Sequence, residues 1–163
     1  MKKILSIAAL SMLTLSGLLT APAQAATAVQ SPTFNVNIGL TSVCQISTLP
    51  TAAFTYTSFG AQATTASSFD VRCTNGLPIT SIRLDDDAGG IATGLTQSYT
   101  DQATNLIYSL TLGSVPTAGS GFAQTVTLNG LMGASQGGNC AVAGGACTNS
   151  ASTNKSRTLT ITY

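Results

Sequence analysis

Phe34, Val36, Ile38 and Leu40 alternate without a break with Asn35, Asn37, Gly39 and Thr41. Period-two alternation places one set of side chains on each face of an extended chain. A helix cannot use it, because helical apolar residues must recur every three or four positions. Beyond the leading residues no window sustains such a helical stripe, and further short strand candidates follow at 43–48, 53–59, 66–73, 77–84, 104–112, 122–128 and 156–163. Turn chemistry parts them at Asn75-Gly76, Asp87-Ala88-Gly89-Gly90, Gly119-Ser120-Gly121 and Asn129-Gly130. Seven or eight short strands between such turns read as an all-β, antiparallel sandwich of the immunoglobulin-like kind. The Ser/Thr/Ala-rich run at 61–68 and the Gly-rich run at 133–154 read as surface loops.

The first 25 residues have the three parts of an export signal. Lys2 and Lys3 give a positive start, an uncharged apolar stretch follows from Ile4 to Leu19, and Ala23-Gln24-Ala25 supplies a small-x-small cleavage site. Removal of residues 1–25 leaves one domain's worth of chain, delivered to an oxidising space. Only 7% of the residues are charged, and the chain contains no His and no Trp. Once Lys2 and Lys3 leave, Arg72, Arg83, Lys155 and Arg157 face Asp70, Asp85, Asp86, Asp87 and Asp101, with no Glu at all. That balance offers no basic stripe for phosphates, which argues against nucleic acid as a partner. Without His or Glu the chain also lacks the usual acids, bases and metal ligands, so the expectation is a non-enzyme without metal or cofactor.

Four cysteines in an oxidising compartment can pair in three ways, and spacing favours Cys44 with Cys73 and Cys140 with Cys147. Closing a loop of about 30 residues stabilises a fold by roughly 3.5 kcal/mol in the chain-entropy model, a large share of a small domain's stability. The second pair closes a small loop amid Gly137, Gly138, Gly144 and Gly145, and its task beyond stapling is not legible.

Both ends of the domain are unusual for a sandwich. The printed chain stops within a strand pattern, with Leu159, Ile161 and Tyr163 facing one way and Thr158, Thr160 and Thr162 the other. The segment from Phe34 is preceded by a polar leader with no turn to tie it down. A sandwich without a closing strand exposes unpaired backbone and an apolar groove until another chain fills it. An alternating apolar segment from the next copy is a natural filler by strand addition. The plainer alternative is that 33–41 is the first strand of its own domain and 156–163 the last.

The residues in order carry a resemblance. Phe34-x-Val36-x-Ile38-x-Leu40 ending at Cys44, then Phe54-x-Tyr56 and Phe59-Gly60, then Phe69-Asp70-Val71-Arg72-Cys73, resemble the spore coat protein U domain family. That family comprises subunits of archaic chaperone-usher pili. Leu106-Ile107-Tyr108-Ser109-Leu110, Thr125-Val126-Thr127-Leu128-Asn129-Gly130 and the final Arg157-Thr158-Leu159-Thr160-Ile161-Thr162-Tyr163 agree with it. The resemblance implies an incomplete, pilin-type immunoglobulin-like sandwich over 37–163 that lacks its last strand, preceded by a donor-strand extension at 26–36. It implies a periplasmic pilus chaperone, an outer-membrane usher and other copies or related subunits as partners, and a pilus at the cell surface serving adhesion and biofilm formation. By the same resemblance Val29, Phe34 and Val36 are candidate donor side chains. Leu159, Ile161 and Tyr163 are candidates for the acceptor edge and chaperone contact, with the Tyr163 carboxylate as an anchor. Two features depart from the family: Arg157 stands where an acidic residue is common, and the Cys140/Cys147 loop looks like an addition.

Asp85-Asp86-Asp87 before Gly89-Gly90 suggests calcium, yet contiguous aspartates on a strand point to opposite faces, and a solvated turn fits them better. No serine has a histidine to activate it. A small membrane barrel would need aromatic girdles and longer strands. A tip adhesin would need a second domain. The remaining rival is a stand-alone exported sandwich that binds a ligand as a monomer.

Overall fold

The computed structural model describes residues 33–150 and 156–163. The export signal, Val29 and Lys155 lie outside the described residues. The chain parts into two units between Ile38 and Gly39. Of the first unit residues 33–38 are described, and they form no strand. The second unit holds seven strands: β1 (Cys44–Ser47), β2 (Ala63–Cys73), β3 (Ser81–Leu84), β4 (Thr96–Thr100), β5 (Ile107–Leu112), β6 (Ala123–Met132) and β7 (Leu159–Thr162). Every pairing is antiparallel, with β1-β2-β6-β5-β4 in one sheet and β3-β7 in the other. The described residues contain no helix.

The two sheets enclose one apolar core, as expected of a β-sandwich. β2 and β6 form its spine, because both alternate strictly and pair in register, Phe69 beside Val126 and Ser67 beside Leu128. Phe69, Val71, Val126, Leu128, Leu110 and Leu112 are buried from the large sheet, and Ile82 and Leu84 from the small one. Each fully buried aliphatic or aromatic side chain of this set contributes about 1.5–3 kcal/mol. Ile82 pairs with Ile161, and Leu84 with Leu159, so β7 adds half-buried side chains to the same core. Cys44 and Cys73 are direct cross-strand partners and are joined by a disulfide, and Cys140 is joined to Cys147, which is the pairing that spacing favours. Both suit an oxidising, exported environment.

Several elements differ from the sequence expectation. The clearest alternation, at 33–41, carries no strand. Residues 53–59 also carry none, although residues 50–57 alternate between half-buried and exposed as a strand would. β2 begins at Ala63, so most of the 61–68 run is ladder rather than loop: Ala63, Thr64 and Thr65 pair with Met132, Leu131 and Gly130. β4 has no sequence signal beyond Tyr99, its one buried side chain. Asn129-Gly130 is not a turn but the interior of β6. A β-carbon on Gly130 would stand 2.6 Å from both Phe54 Cζ and Thr65 Cγ2, so glycine is required there for close approach.

Candidate functional site

β7 has one satisfied edge and one open edge. Toward β3, the Asp85 amide donates to the Thr158 carbonyl at 3.0 Å and the Thr80 amide to the Thr162 carbonyl at 2.8 Å. Because backbone groups alternate sides along an antiparallel strand, the amides and carbonyls of Leu159 and Ile161 face away from β3. No described strand pairs with them there. The far side of β3, by contrast, is closed by neighbouring loops: Ile79 donates to the Thr117 carbonyl and Ala92 to the Leu84 carbonyl, both at 2.9 Å.

The segment at 50–57, the second alternating stretch without a ladder, lines the same cleft as Leu159. It is fastened at both ends. On one side β1 leads into it, pinned by the Cys44–Cys73 disulfide. On the other, the Phe59 amide donates to the Gln136 carbonyl at 2.8 Å, the Gln136 amide to the Tyr56 hydroxyl at 2.7 Å, and the Ser58 hydroxyl to the Gly137 carbonyl at 2.6 Å. Phe54 fixes its middle by lying over the bare backbone of Gly130 and against the Tyr108 ring, centroids 5.7 Å apart.

Between these walls runs a cleft of about 890 Å³. Its floor is apolar, with Leu84, Leu110, Leu128 and Met132, and its walls bring Ile46 and Phe54 opposite Leu159. One end is polar. There Arg157 stacks on the Tyr99 ring at 3.9 Å and donates to the Tyr108 hydroxyl at 3.1 Å. Its guanidinium also pairs with Asp85 Oδ2 at 3.4 Å and Asp87 Oδ1 at 3.1 Å. Burial opposes that charge, yet the Tyr108 hydroxyl and then Asp85 hold Arg157 above its ordinary range. Burial, reinforced by Asp85, pushes the Tyr99 hydroxyl well above the usual phenol range. That hydroxyl donates to the Asp85 carbonyl at 2.7 Å.

The aspartate run is thereby accounted for. Asp85 Oδ1 accepts from the Thr158 amide at 3.0 Å, which caps the start of β7. Asp86 Oδ1 accepts from the Ala88 and Gly90 amides at 2.9 and 2.6 Å, shaping the turn. Asp85 and Asp87 hold Arg157 from opposite prongs of its fork, so the run is tied to a guanidinium and is not only the solvated turn that the sequence suggests. Arg157 is the residue at which sequence reasoning saw only a departure. Its signal was the three carboxylates, but a separation of 72 residues hid the match.

Asp101 is the buried carboxylate of the cleft rim. Burial alone would raise its proton affinity. The Thr104 hydroxyl and amide, at 2.7 and 2.8 Å, together with Asn149 and the Ala103 amide, hold it below the ordinary carboxylate range instead.

The expected acceptor residues divide. Leu159 lines the cleft, Ile161 lies half-buried two positions along the same edge, and Tyr163 is exposed beyond the strand. Of the expected donor residues, Val29 lies outside the described residues. Phe34 and Val36 are 84% and 69% exposed, and Ile38 and Leu40 beyond them 87% and 79%. Four large apolar side chains in one alternating row therefore face solvent. Comparison with family models, with curated proteins and with solved structures finds no match for this chain.

Proposed function

We propose that this chain is an exported structural subunit of a surface fibre, an incomplete immunoglobulin-like sandwich that polymerises by strand exchange. The observation that carries the proposal is the cleft itself, two unpaired backbone walls over an apolar floor. Such a vacancy has the shape of a missing strand, and a strand that entered it would gain ladder hydrogen bonds on both sides while its alternate side chains met Leu84, Leu110, Leu128 and Phe54. The occupant is the leading segment of a second copy. Phe34, Val36, Ile38 and Leu40 present one apolar row, and nine extended residues span about 30 Å, comparable to the wall at 50–57. Burying four such side chains contributes about 6–12 kcal/mol before the cost of ordering them.

A strand acceptor that is empty at synthesis aggregates unless it is covered, so the proposal includes a periplasmic chaperone that supplies a temporary strand and an outer-membrane usher that exchanges it. Leu159, Ile161 and Tyr163 form the acceptor edge that both the chaperone and the next subunit contact, and Val29, Phe34 and Val36 lie in the donor. This is the assembly of the chaperone-usher pili that the sequence resembles, with adhesion and biofilm formation as the fibre's role. The test is periplasmic expression with and without a candidate chaperone, followed by deletion of residues 26–36. The deletion is expected to abolish polymers and leave chaperone binding intact. Intact polymers after the deletion, or a soluble, protease-resistant monomer formed without any chaperone, would count against the proposal.

A further inference from the structure

The loop closed by Cys140 and Cys147 belongs to neither sheet, and strand exchange as described gives it no task. Both of its flanks converge on one turn. The Asn139 amide donates to the Thr104 carbonyl at 2.6 Å, and Asn149 lines the same cleft as Asp101. Gly138, at φ 66°, passes so close that a β-carbon there would stand 2.9 Å from Leu106 Cδ2. Asp101, Thr104 and Leu106 line the cleft, and so do Cys147, Thr148 and Asn149 from the loop itself. The disulfide therefore holds a second layer of chain at the cleft's polar end.

We infer that the Cys140–Cys147 loop is a rim that sets how long a strand stays in the cleft. The inference rests on the strand-acceptor reading of that cleft. Between Asn139 and Asn149 the chain is mostly glycine, alanine and other small residues, which alone would sample many conformations. The crosslink removes most of them, so the loop lies against Thr104 and Leu106 at little entropic cost. Entry of a strand begins by pairing along the open backbone of β7. Contacts with the rim form after that first pairing, so they hold the seated strand and their loss is read in dissociation rather than association.

The experiment uses the full chain with both disulfides formed, exported together with its chaperone, immobilised sparsely so that copies do not meet and then freed of the chaperone, with a synthetic peptide of residues 33–41 as the probe. Two variants are compared with the wild type: the pair Cys140→Ser with Cys147→Ser, which leaves Cys44–Cys73 in place, and Asn149→Ala, which keeps the disulfide and trims a side chain that lines the cleft. Each is expected to shorten the peptide's residence about tenfold while association changes by less than about threefold. The unfolding midpoint of the chaperone-bound protein is expected to stay near the wild-type value, because an exposed loop opens independently of the core. Unchanged residence in both variants overturns the rim inference and leaves the acceptor reading standing. A matching fall in midpoint, association and residence shows a purely structural loop and also overturns it. A wild-type protein that does not bind the peptide overturns the acceptor reading, and the rim inference with it.

Discussion

Ile38→Ala separates assembly from folding more sharply than any change in the core. In the isolated subunit Ile38 is 87% exposed. Truncating it removes almost no buried surface, and exposed substitutions of this kind move stability by no more than about 0.5 kcal/mol. In the proposed polymer the same side chain is buried in a neighbour's cleft, where loss of an isoleucine to alanine costs about 2–4 kcal/mol. That cost corresponds to about a 30- to 1,000-fold weaker subunit contact. Sedimentation of the exported protein across a concentration series measures the contact, and a thermal melt of the chaperone-bound subunit measures the fold. Expected are short or absent polymers with an unchanged melting temperature. Val126→Ala, at a fully buried position of β6, provides the reverse pattern by lowering the melting temperature first. Wild-type polymer lengths for Ile38→Ala at matched concentration, or a melting temperature lowered as much as by Val126→Ala, would refute the reasoning.

Arg157→Lys keeps the charge but loses the planar stack on Tyr99 and the forked pairing with Asp85 and Asp87, so denaturant unfolding is expected to show a loss of about 1–3 kcal/mol. Gly130→Ala forces a methyl group into Phe54 and Thr65, at a cost of about 1–3 kcal/mol that urea melts would report, with weaker peptide capture because Phe54 forms the cleft wall. For Asp101 the folded carboxyl binds its proton more weakly than the unfolded one. Its contribution to stability is therefore present above the unfolded value of about 4 and fades as pH falls below it. Urea midpoints of the wild type and Asp101→Asn are accordingly expected to differ most near pH 7 and to converge toward pH 3. A constant gap would contradict that assignment.

What the sequence reveals here is faces, and what it conceals is partners. Within the 53–59 candidate Phe54 and Tyr56 are half-buried where Thr55 and Thr57 are exposed, whereas at 33–41 every side chain is exposed; neither stretch has a ladder, because a strand's neighbour is not encoded in its own period. β2 and β6 were legible where Phe69, Val71, Val126 and Leu128 supply contrast. Their Ser/Thr/Ala and Asn-Gly portions were not, since the residues that permit turns are the same ones that permit a close-packed ladder. β4 escaped because one buried tyrosine among Thr, Gln and Ser makes no pattern. The disulfides were readable from spacing alone. Alternation put Leu159 on one face with Ile161, and only the family resemblance assigned it to an acceptor edge, whereas Arg157, Asp101 and Asn149 line one cleft only through contacts distant in sequence.

The position of the Cys44–Cys73 bond has a mechanical consequence for a fibre built in this way. Residues 33–43 run directly into Cys44, so a pull on the leading segment reaches the body of the subunit at a covalent cross-strand link. Tension passes across to β2, the longest strand and the spine of the large sheet, without first having to unzip β1. Each subunit would then bear load through sulfur at the point where hydrogen bonds alone would peel one at a time.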